Sequence, residues 1–210
     1  MTQTVQKPWG YEYPVHENKN VGVWFLRMKP NEQTSMHLHA QKQAALILLD
    51  GHATVDLLSS SHELRRPLDK IVVRQRLFHQ TTAGVAGCSL IEVEAPPDKS
   101  DLLRMEDRYG REGEGYESEA ETPEPTAMAL DVPIMLGGCY LTLEAFSGVS
   151  ELKNRELREL LILLSGSLDT DAGEAVTAPG DILGHDTILR LTDTYTKCTA
   201  GELISIRTVE

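Results

Sequence analysis

Short apolar runs separated by turn residues recur along the whole chain. They are rich in Val, Ile and Leu, and read VGVWFLRM, AALILLDG, KIVV and SLIEVE in the first half and GGCYLTLEAF, LLILLSG, DILG and LISIRTV in the second. Runs of this length bounded by Gly, Pro, Asp and Asn are typical of β-strands rather than of amphipathic helices. The pattern therefore predicts an all-β protein.

One stretch between the two sets of runs has a different composition. Residues 112–128 are rich in glutamate and proline and contain few large apolar side chains. Such a stretch cannot bury a core and is typical of a linker. We therefore predict an N-terminal domain over residues 1–111, an acidic linker over 112–128 and a C-terminal domain over 129–210.

The two sets of apolar runs also resemble each other in order and in kind. The run at 45–51 aligns with the run at 160–166, and both end in Gly. Residues 23–26 align with 139–142 in the same way, and 68–71 with 180–183, which indicates a duplicated unit. Apolar runs that end in Gly fit strands buried in a small barrel. The prediction is two antiparallel jelly-roll barrels, with one large sandwich as the alternative.

Charge and composition narrow the classes of partner. The 210 residues carry a net charge of -12, so the overall field repels phosphate backbones and nucleic acid is not expected as a partner. A local basic pocket for a small anion is still allowed. The three cysteines are widely spaced and are expected to be reduced. There is neither an apolar leader after a basic start nor a long apolar span, so we expect a cytoplasmic protein without a membrane partner.

Three histidines form the candidate metal site. His37 and His39 lie two residues apart, so on an extended strand both imidazoles point to the same face. His79 follows the apolar run at 70–73, and a returning strand can bring it alongside. Three imidazoles with an open position are a known catalytic metal arrangement. The alternative is that H-x-H is a surface pair.

The segment around these histidines resembles the first cupin motif, in which H-x-H is followed by a glutamate ligand and then by a glycine. Counted from His39 to Gly51, Ala44 stands at the glutamate position, and on the shorter spacing Gln43 stands there. The second cupin motif ends in a histidine, which here is His79. The resemblance implies a divalent metal held by the three histidines, with Zn, Fe, Mn or Ni as candidates, and without the family's carboxylate.

Two flanking segments resemble one particular group of cupin domains. Residues 7–12, KPWGYE, are similar to the opening of the cupin domains of bacterial mannose-6-phosphate isomerase and mannose-1-phosphate guanylyltransferase proteins. Residues 101–111, DLLRMEDRYGR, are similar to the close of the same domains. The resemblance spans residues 7–111 and implies a jelly roll that binds a divalent metal and, in the isomerases, interconverts an aldose and a ketose phosphate.

Charged residues near the predicted site are candidates for further roles. Glu92 and Glu94 share one face of a predicted strand, and either could move a proton between adjacent carbons while a metal polarises a carbonyl. Four basic residues are candidates for binding an anionic substrate: Lys42, Arg74, Arg76 and Arg111. A solvated surface position is the alternative for each of them.

The second repeat lacks the ligand set. Leu152 and Asn154 stand opposite the H-x-H pair, about Leu191 stands opposite His79, and Glu159 takes the place of Ala44. His185 is expected to be a turn or surface residue. Three functions stay open: a metal-dependent sugar or sugar-phosphate isomerase or epimerase, a non-catalytic cupin that binds a small acid or sugar, and a structural bicupin for assembly. Because cupin sheets often pair across subunits, a homodimer is expected.

Overall fold

The computed structural model describes residues 4–116 and 130–209 and divides the chain into two compact units, Met1–Ala129 and Leu130–Glu210. The first five residues of the predicted linker, 112–116, are described, whereas residues 117–128 lie outside the described residues. The bounds of the predicted domains and linker therefore stay a prediction.

The first unit consists of antiparallel strands in one curled sheet. Strands β1, β2, β3, β8, β4 and β9 are neighbours in that order, and β5 pairs with β6, β7 and β8. The strands are β1 (Val5–Lys7), β2 (Gly10–Glu17), β3 (Gly22–Met28), β4 (Met36–Leu38), β5 (Gln43–Leu57), β6 (Ser61–Leu64), β7 (Lys70–Val73), β8 (His79–Ala95) and β9 (Leu103–Glu106).

The two longest strands, β5 and β8, produce the curl. They pair along almost their whole length, and the register shifts between Leu48 and Asp50 and again between Gly51 and Ala53. Gly51 has φ of +82°, and a Cβ there would lie 2.3 Å from the carbonyl oxygen of Gly87, itself a glycine with φ of +76°. Two glycines therefore allow the paired strands to bend sharply and approach each other closely.

Alternate residues of the bent strands fill the interior. Leu46 and Leu48 of β5 pack with Leu90 of β8, and the cluster also includes Trp9, Trp24, Leu26 and Met28. Side chains on one face of a strand are two residues apart, so Glu92 and Glu94 continue the inward face of β8 beyond Leu90. The sheet thus places polar groups at one end of an apolar core.

The second unit is smaller and mixes strands with two helices. A five-stranded antiparallel sheet has the order β10, β11, β16, β12, β14, and β13 pairs with β15. The elements are β10 (Ile134–Leu136), β11 (Cys139–Phe146), α1 (Val149–Lys153), β12 (Glu159–Leu163), β13 (Ser167–Asp169), β14 (Ile182–Gly184), α2 (His185–Thr194), β15 (Lys197–Thr199) and β16 (Gly201–Thr208).

The helices depart from the prediction of strands alone. At α1, the Glu151 carboxylate accepts the backbone N–H groups of Ser147 at 2.6 Å and Gly148 at 3.3 Å, which favours a helical turn. At α2, Ile188 and Thr192 are buried on one helical face. The all-β class is thus confirmed for the curled sheet of the first unit, and a second barrel is not confirmed. Within the two described ranges, no helix is long and apolar enough to cross a bilayer.

Candidate metal centre

Three histidines of the first unit meet at one point. His37 lies in β4 and is directly paired with His79 at the start of β8, while His39 follows β4 by one residue. The ring centroids of His37 and His79 are 4.2 Å apart, and the His39 ring lies 5.0 Å from His37 and 5.3 Å from His79. One ring nitrogen from each residue lies within 4.8 Å of the others, a grouping that could hold a metal ion.

Backbone carbonyls orient all three rings. The Nδ1 atom of His37 lies 2.8 Å from the carbonyl oxygen of Ser35, and that of His79 lies 3.1 Å from that of Leu77. The Nδ1 atom of His39 lies 2.6 Å from the carbonyl oxygen of Asp101. A carbonyl oxygen can only accept a hydrogen bond, so each Nδ1 atom carries the proton and donates it. The Nε2 atom of each neutral ring therefore keeps a free lone pair. Oriented neutral imidazoles of this kind are the form that binds metals.

Burial keeps the three imidazoles neutral. It lowers the pKa of His37 well below its ordinary value, and the neighbouring His79 and His39 lower it further. Burial likewise lowers the pKa of His79 to about 4 and, together with the Lys42 ammonium, lowers the pKa of His39. The Nε2 atom of His39 is buried and has no hydrogen-bond partner among the described residues. The site therefore presents unprotonated nitrogen atoms at neutral pH.

Asp101 shapes the loop that follows the H-x-H pair. Its carboxylate accepts the backbone N–H groups of Ala40, Gln41 and Lys42, each at 2.8 Å. Burial alone would raise the pKa of Asp101, but these three donors outweigh it and lower the pKa. Because its carbonyl oxygen also accepts from His39, Asp101 fixes both the loop and one candidate ligand.

The carboxylate of the first cupin motif is absent from its place. Ala44 is buried in β5, where it pairs with Val73 on one side and Glu94 on the other. Its methyl group offers no donor atom. Gln43 also supplies no carboxylate, and neighbouring residues of a strand point to opposite faces.

A cluster of buried charges lines the cavity beside His37 and His39. The cavity is open to solvent. Its walls include what we call the inner charge cluster: Lys7, Glu12, Lys42, Glu92, Glu94 and Lys99. Lys42 Nζ lies 2.7 Å from Glu94 Oε1 and Lys99 Nζ lies 3.0 Å from the same oxygen. Each cation has an acidic counterpart, which reduces the large cost of removing charges from water.

Aromatic rings surround the cations of this cluster. The Lys99 ammonium lies 3.9 Å from the centroid of the Trp24 ring, and Lys7 lies 3.7 Å from that of Tyr116. The Tyr116 hydroxyl donates to Glu12 Oε1 at 2.5 Å. Arg104 donates to the carbonyl oxygens of Glu114 and Gly115, the two residues that precede Tyr116. A residue within the predicted linker thus forms part of the cavity wall.

The four predicted substrate-binding residues differ in position. Lys42 and Arg111 line the cavity, although Lys42 also donates to the Asp98 carbonyl oxygen and Arg111 makes a bidentate pair with Asp107 at 2.7 and 3.0 Å. Arg74 and Arg76 are exposed in the turn between β7 and β8 and are not among the residues that line this cavity. Their turn nevertheless contacts the site, because the Arg76 N–H donates to the His39 carbonyl oxygen at 2.6 Å.

Several residues of the cavity wall were not predicted from the sequence. Lys7 and Glu12 belong to the KPWGYE segment. They could have been predicted if that segment had been interpreted as part of the site. Nothing in the sequence pattern pointed to Lys99 or Tyr116. Both reach the cavity only because the chain after β8 folds back over it.

The second unit offers no comparable grouping among the described residues. Glu159, the counterpart of Ala44, starts β12 and is already hydrogen-bonded: its carboxylate accepts from the Ser205 hydroxyl at 2.5 Å and from the Glu156 N–H at 2.9 Å. Leu152 lies in α1, and His185 is the first residue of α2. The candidate metal centre therefore belongs to the first unit.

Comparison with known protein families gives a match to the first unit. A family model described as mannose-6-phosphate isomerase C-terminal matches residues 1–107. No curated protein gives a significant match.

Solved structures with a similar fold cover about half of the chain. KdgF from Halomonas sp. is 16% identical, with a TM-score of 0.43 over 47% of this chain and 89% of that one. A protein from Planctomyces limnophilus is 24% identical, with a TM-score of 0.40 over 48% and 87%. Streptomyces PAC13 with uridine is 10% identical, with a TM-score of 0.44 over 50% and 84%.

Proposed function

Since the chain belongs to the mannose-6-phosphate isomerase C-terminal family of cupins, we propose that its first unit binds one divalent metal ion and acts on a sugar or sugar phosphate as an isomerase or epimerase. The observation that carries the proposal is the convergence of three imidazoles whose Nδ1 atoms are all engaged by backbone carbonyls. Zn, Fe, Mn and Ni are the candidate ions. When bound, such an ion supplies a Lewis acid that polarises a carbonyl oxygen.

The protein's own groups would perform the remaining steps. Glu92 and Glu94 line the cavity, and a carboxylate there can take a proton from one carbon and return it to the next. Acidic and basic side chains of the inner charge cluster can accept from and donate to sugar hydroxyls. Trp9 and Tyr116 add aromatic surface to the wall.

The metal site is tested by quantifying bound metal in the purified protein. We expect about one ion per chain for wild type, because three oriented histidines form one site. His79→Ala should lose most of the ion. His62→Ala is the matched control, since His62 is exposed on β6 of the same unit and should leave the metal content unchanged. A wild-type protein that takes up no Zn, Fe, Mn or Ni would refute the metal site.

The reaction is tested by a screen of aldose and ketose phosphates with the metal-loaded protein. Interconversion should require the ion and disappear in His79→Ala. Proton abstraction should also exchange a substrate C–H hydrogen with solvent deuterium, which NMR detects without knowledge of the product. Metal binding without turnover or exchange of any sugar or sugar phosphate would refute the isomerase proposal.

A second candidate is a cupin that binds a small acid or sugar without turnover. The observation that favours it is Ala44, because three neutral ligands leave the full charge of the ion for an anion. Metal-dependent binding of a sugar acid in calorimetry, with no hydrogen exchange, would support this candidate. A structural bicupin is the third candidate, and light scattering of the full chain tests the proposed homodimer.

A further inference from the structure

The two acidic residues of the inward face of β8 have different contacts. Glu94 accepts from Lys42 at 2.7 Å and also lies 3.0 Å from Lys99, in both cases through Oε1, whereas its Oε2 is buried and has no hydrogen-bond partner among the described residues. Glu92 has one hydrogen bond among the described residues, to Lys99 at 3.5 Å, which exceeds the usual length for a charged pair. A carboxylate can accept about four hydrogen bonds. Both carboxylates keep unused acceptor capacity, but the Glu92 side chain is 12% exposed and that of Glu94 only 2%, so Glu92 is the one that can present its oxygens to the cavity.

Glu92 lines the same cavity as His37 and His39, and it lies on β8, the strand that begins with His79. Burial would raise the pKa of Glu92 itself, but the ammonium groups of Lys99 and Lys42 lower it, so this carboxylate is ionised.

The strand register explains how β8 can compensate for Ala44. Glu94 is paired directly with Ala44, and Glu92 is paired with Leu46, two residues further along the same face of β5. Ala44 offers only a methyl group on this face, where the cupin motif has a carboxylate. The neighbouring strand β8 carries two carboxylates beside Ala44 and Leu46, and Lys42 and Lys99 contact one of them, Glu94.

We propose that Glu92 supplies from β8 the negative charge that β5 lacks at Ala44. Glu92 accepts hydrogen bonds from the water or ligand that fills the positions which the three histidines leave open around the ion. Lys99 is the positioning residue that contacts the Glu92 carboxylate, whereas Lys42 pairs with Glu94. This inference rests on the proposed metal centre.

The test measures Co²⁺ binding to the full chain by absorption spectroscopy, with Co²⁺ alone as the probe. Glu92→Gln should weaken Co²⁺ binding by about tenfold or more, as expected when an outer partner of a metal site is lost. It should also shift the pH midpoint of the Co²⁺ absorption band to a lower value, because loss of a nearby negative charge makes bound water easier to deprotonate.

Glu94→Gln is the matched control, since it removes the same charge from the same face of the same strand. It should change Co²⁺ affinity by less than about threefold, because the ammonium groups of Lys42 and Lys99 already offset the charge of Glu94. Because this variant leaves Lys42 buried without its acidic partner, Lys42→Met/Glu94→Gln serves as a charge-balanced version. Glu92→Asp keeps the negative charge but shortens the side chain by one methylene group, and should weaken Co²⁺ binding by an intermediate amount.

The outcomes separate this inference from the proposed function. Equal losses in Glu92→Gln and Glu94→Gln, or no loss in Glu92→Gln, would overturn the assignment of Glu92 while leaving the metal centre intact. Absence of Co²⁺ binding by wild type would overturn both. Normal thermal unfolding of each variant is required for the comparison.

Discussion

At the scale of single residues, the carboxylate of Asp101 determines the shape of the metal loop. It accepts three consecutive backbone N–H groups, and its carbonyl oxygen orients His39. We expect Asp101→Ala to lower metal affinity by about 10- to 100-fold, because a loosened ligand must be ordered again when the ion binds. Calorimetric titration with Zn²⁺ measures the change.

Asp98→Ala is the control for this prediction. Asp98 lies on the same loop, and its exposed carboxylate accepts from Ser100 rather than from the metal loop. The Asp98 carbonyl oxygen, which binds Lys42, is retained in the variant. Unchanged Zn²⁺ affinity is expected for Asp98→Ala, and a loss as large as that of Asp101→Ala would contradict the role given to Asp101.

At the scale of elements, the bend in β5 and β8 depends on Gly51. A Cβ at this position would meet the Gly87 carbonyl oxygen at 2.3 Å, and φ is +82°. Gly51→Ala should reduce the free energy of unfolding of the first unit by about 2–4 kcal/mol, since backbone strain and steric overlap add. Denaturant unfolding monitored by tryptophan fluorescence measures this, because Trp9 and Trp24 both lie in the first unit.

Gly110→Ala distinguishes the effect of backbone strain from that of steric overlap. Gly110 has φ of +78° in the same unit, but a Cβ there would meet nothing within 4 Å. Only the backbone strain of about 1–2 kcal/mol is then expected. Similar losses for Gly51→Ala and Gly110→Ala would show that close approach of the strands does not matter.

The buried pair of Asp107 and Arg111 closes the turn that follows β9. Burial alone would raise the pKa of Asp107, but hydrogen bonds from Arg111 outweigh it and lower the pKa. A lowered pKa in the folded state stabilises the protein above the ordinary Asp pKa, and the contribution is lost as pH falls through the folded value. Asp107→Asn should therefore lower the melting temperature at pH 7.

The difference between wild type and Asp107→Asn should shrink as the pH is lowered from 5 toward about 2, where the wild-type carboxylate is also protonated. Asp50→Asn is the control, because the Asp50 side chain is exposed and its ion pair with Arg27 is long, at 3.9 Å. A difference that stays constant with pH would mean that the charge of Asp107 is not what stabilises this segment.

At the scale of the whole molecule, the chain consists of two units of unequal character. Limited proteolysis of the full chain is expected to cut first between about residues 112 and 128, where the glutamate- and proline-rich composition cannot bury a core. Tyr116 contacts Glu12 and Lys7, so cleavage within 112–116 should be slower than cleavage beyond it. Mass spectrometry of the first fragments gives the positions, and a first cut inside a strand would argue against two separate domains.

The two aligned apolar runs share a backbone feature where they end. Gly51 and Gly166, which end the two aligned apolar runs, both have positive φ, +82° and +76°. Each lies where a Cβ would collide with a backbone carbonyl oxygen, that of Gly87 or of Thr199. Both runs therefore end at a position that requires glycine.

Local patterns in the sequence determined the strands of the first unit and the candidate ligands. Alternation along a strand is a local property, so His37 and His39 could be placed on one face without knowledge of the fold. Only the tertiary structure placed the rest of the cavity: the pairing of Glu94 with Ala44, the locking of Lys42 by Glu94, and the return of Lys99 and Tyr116. These contacts join residues far apart in the chain, and their energies depend on burial and charge partners that no local pattern encodes.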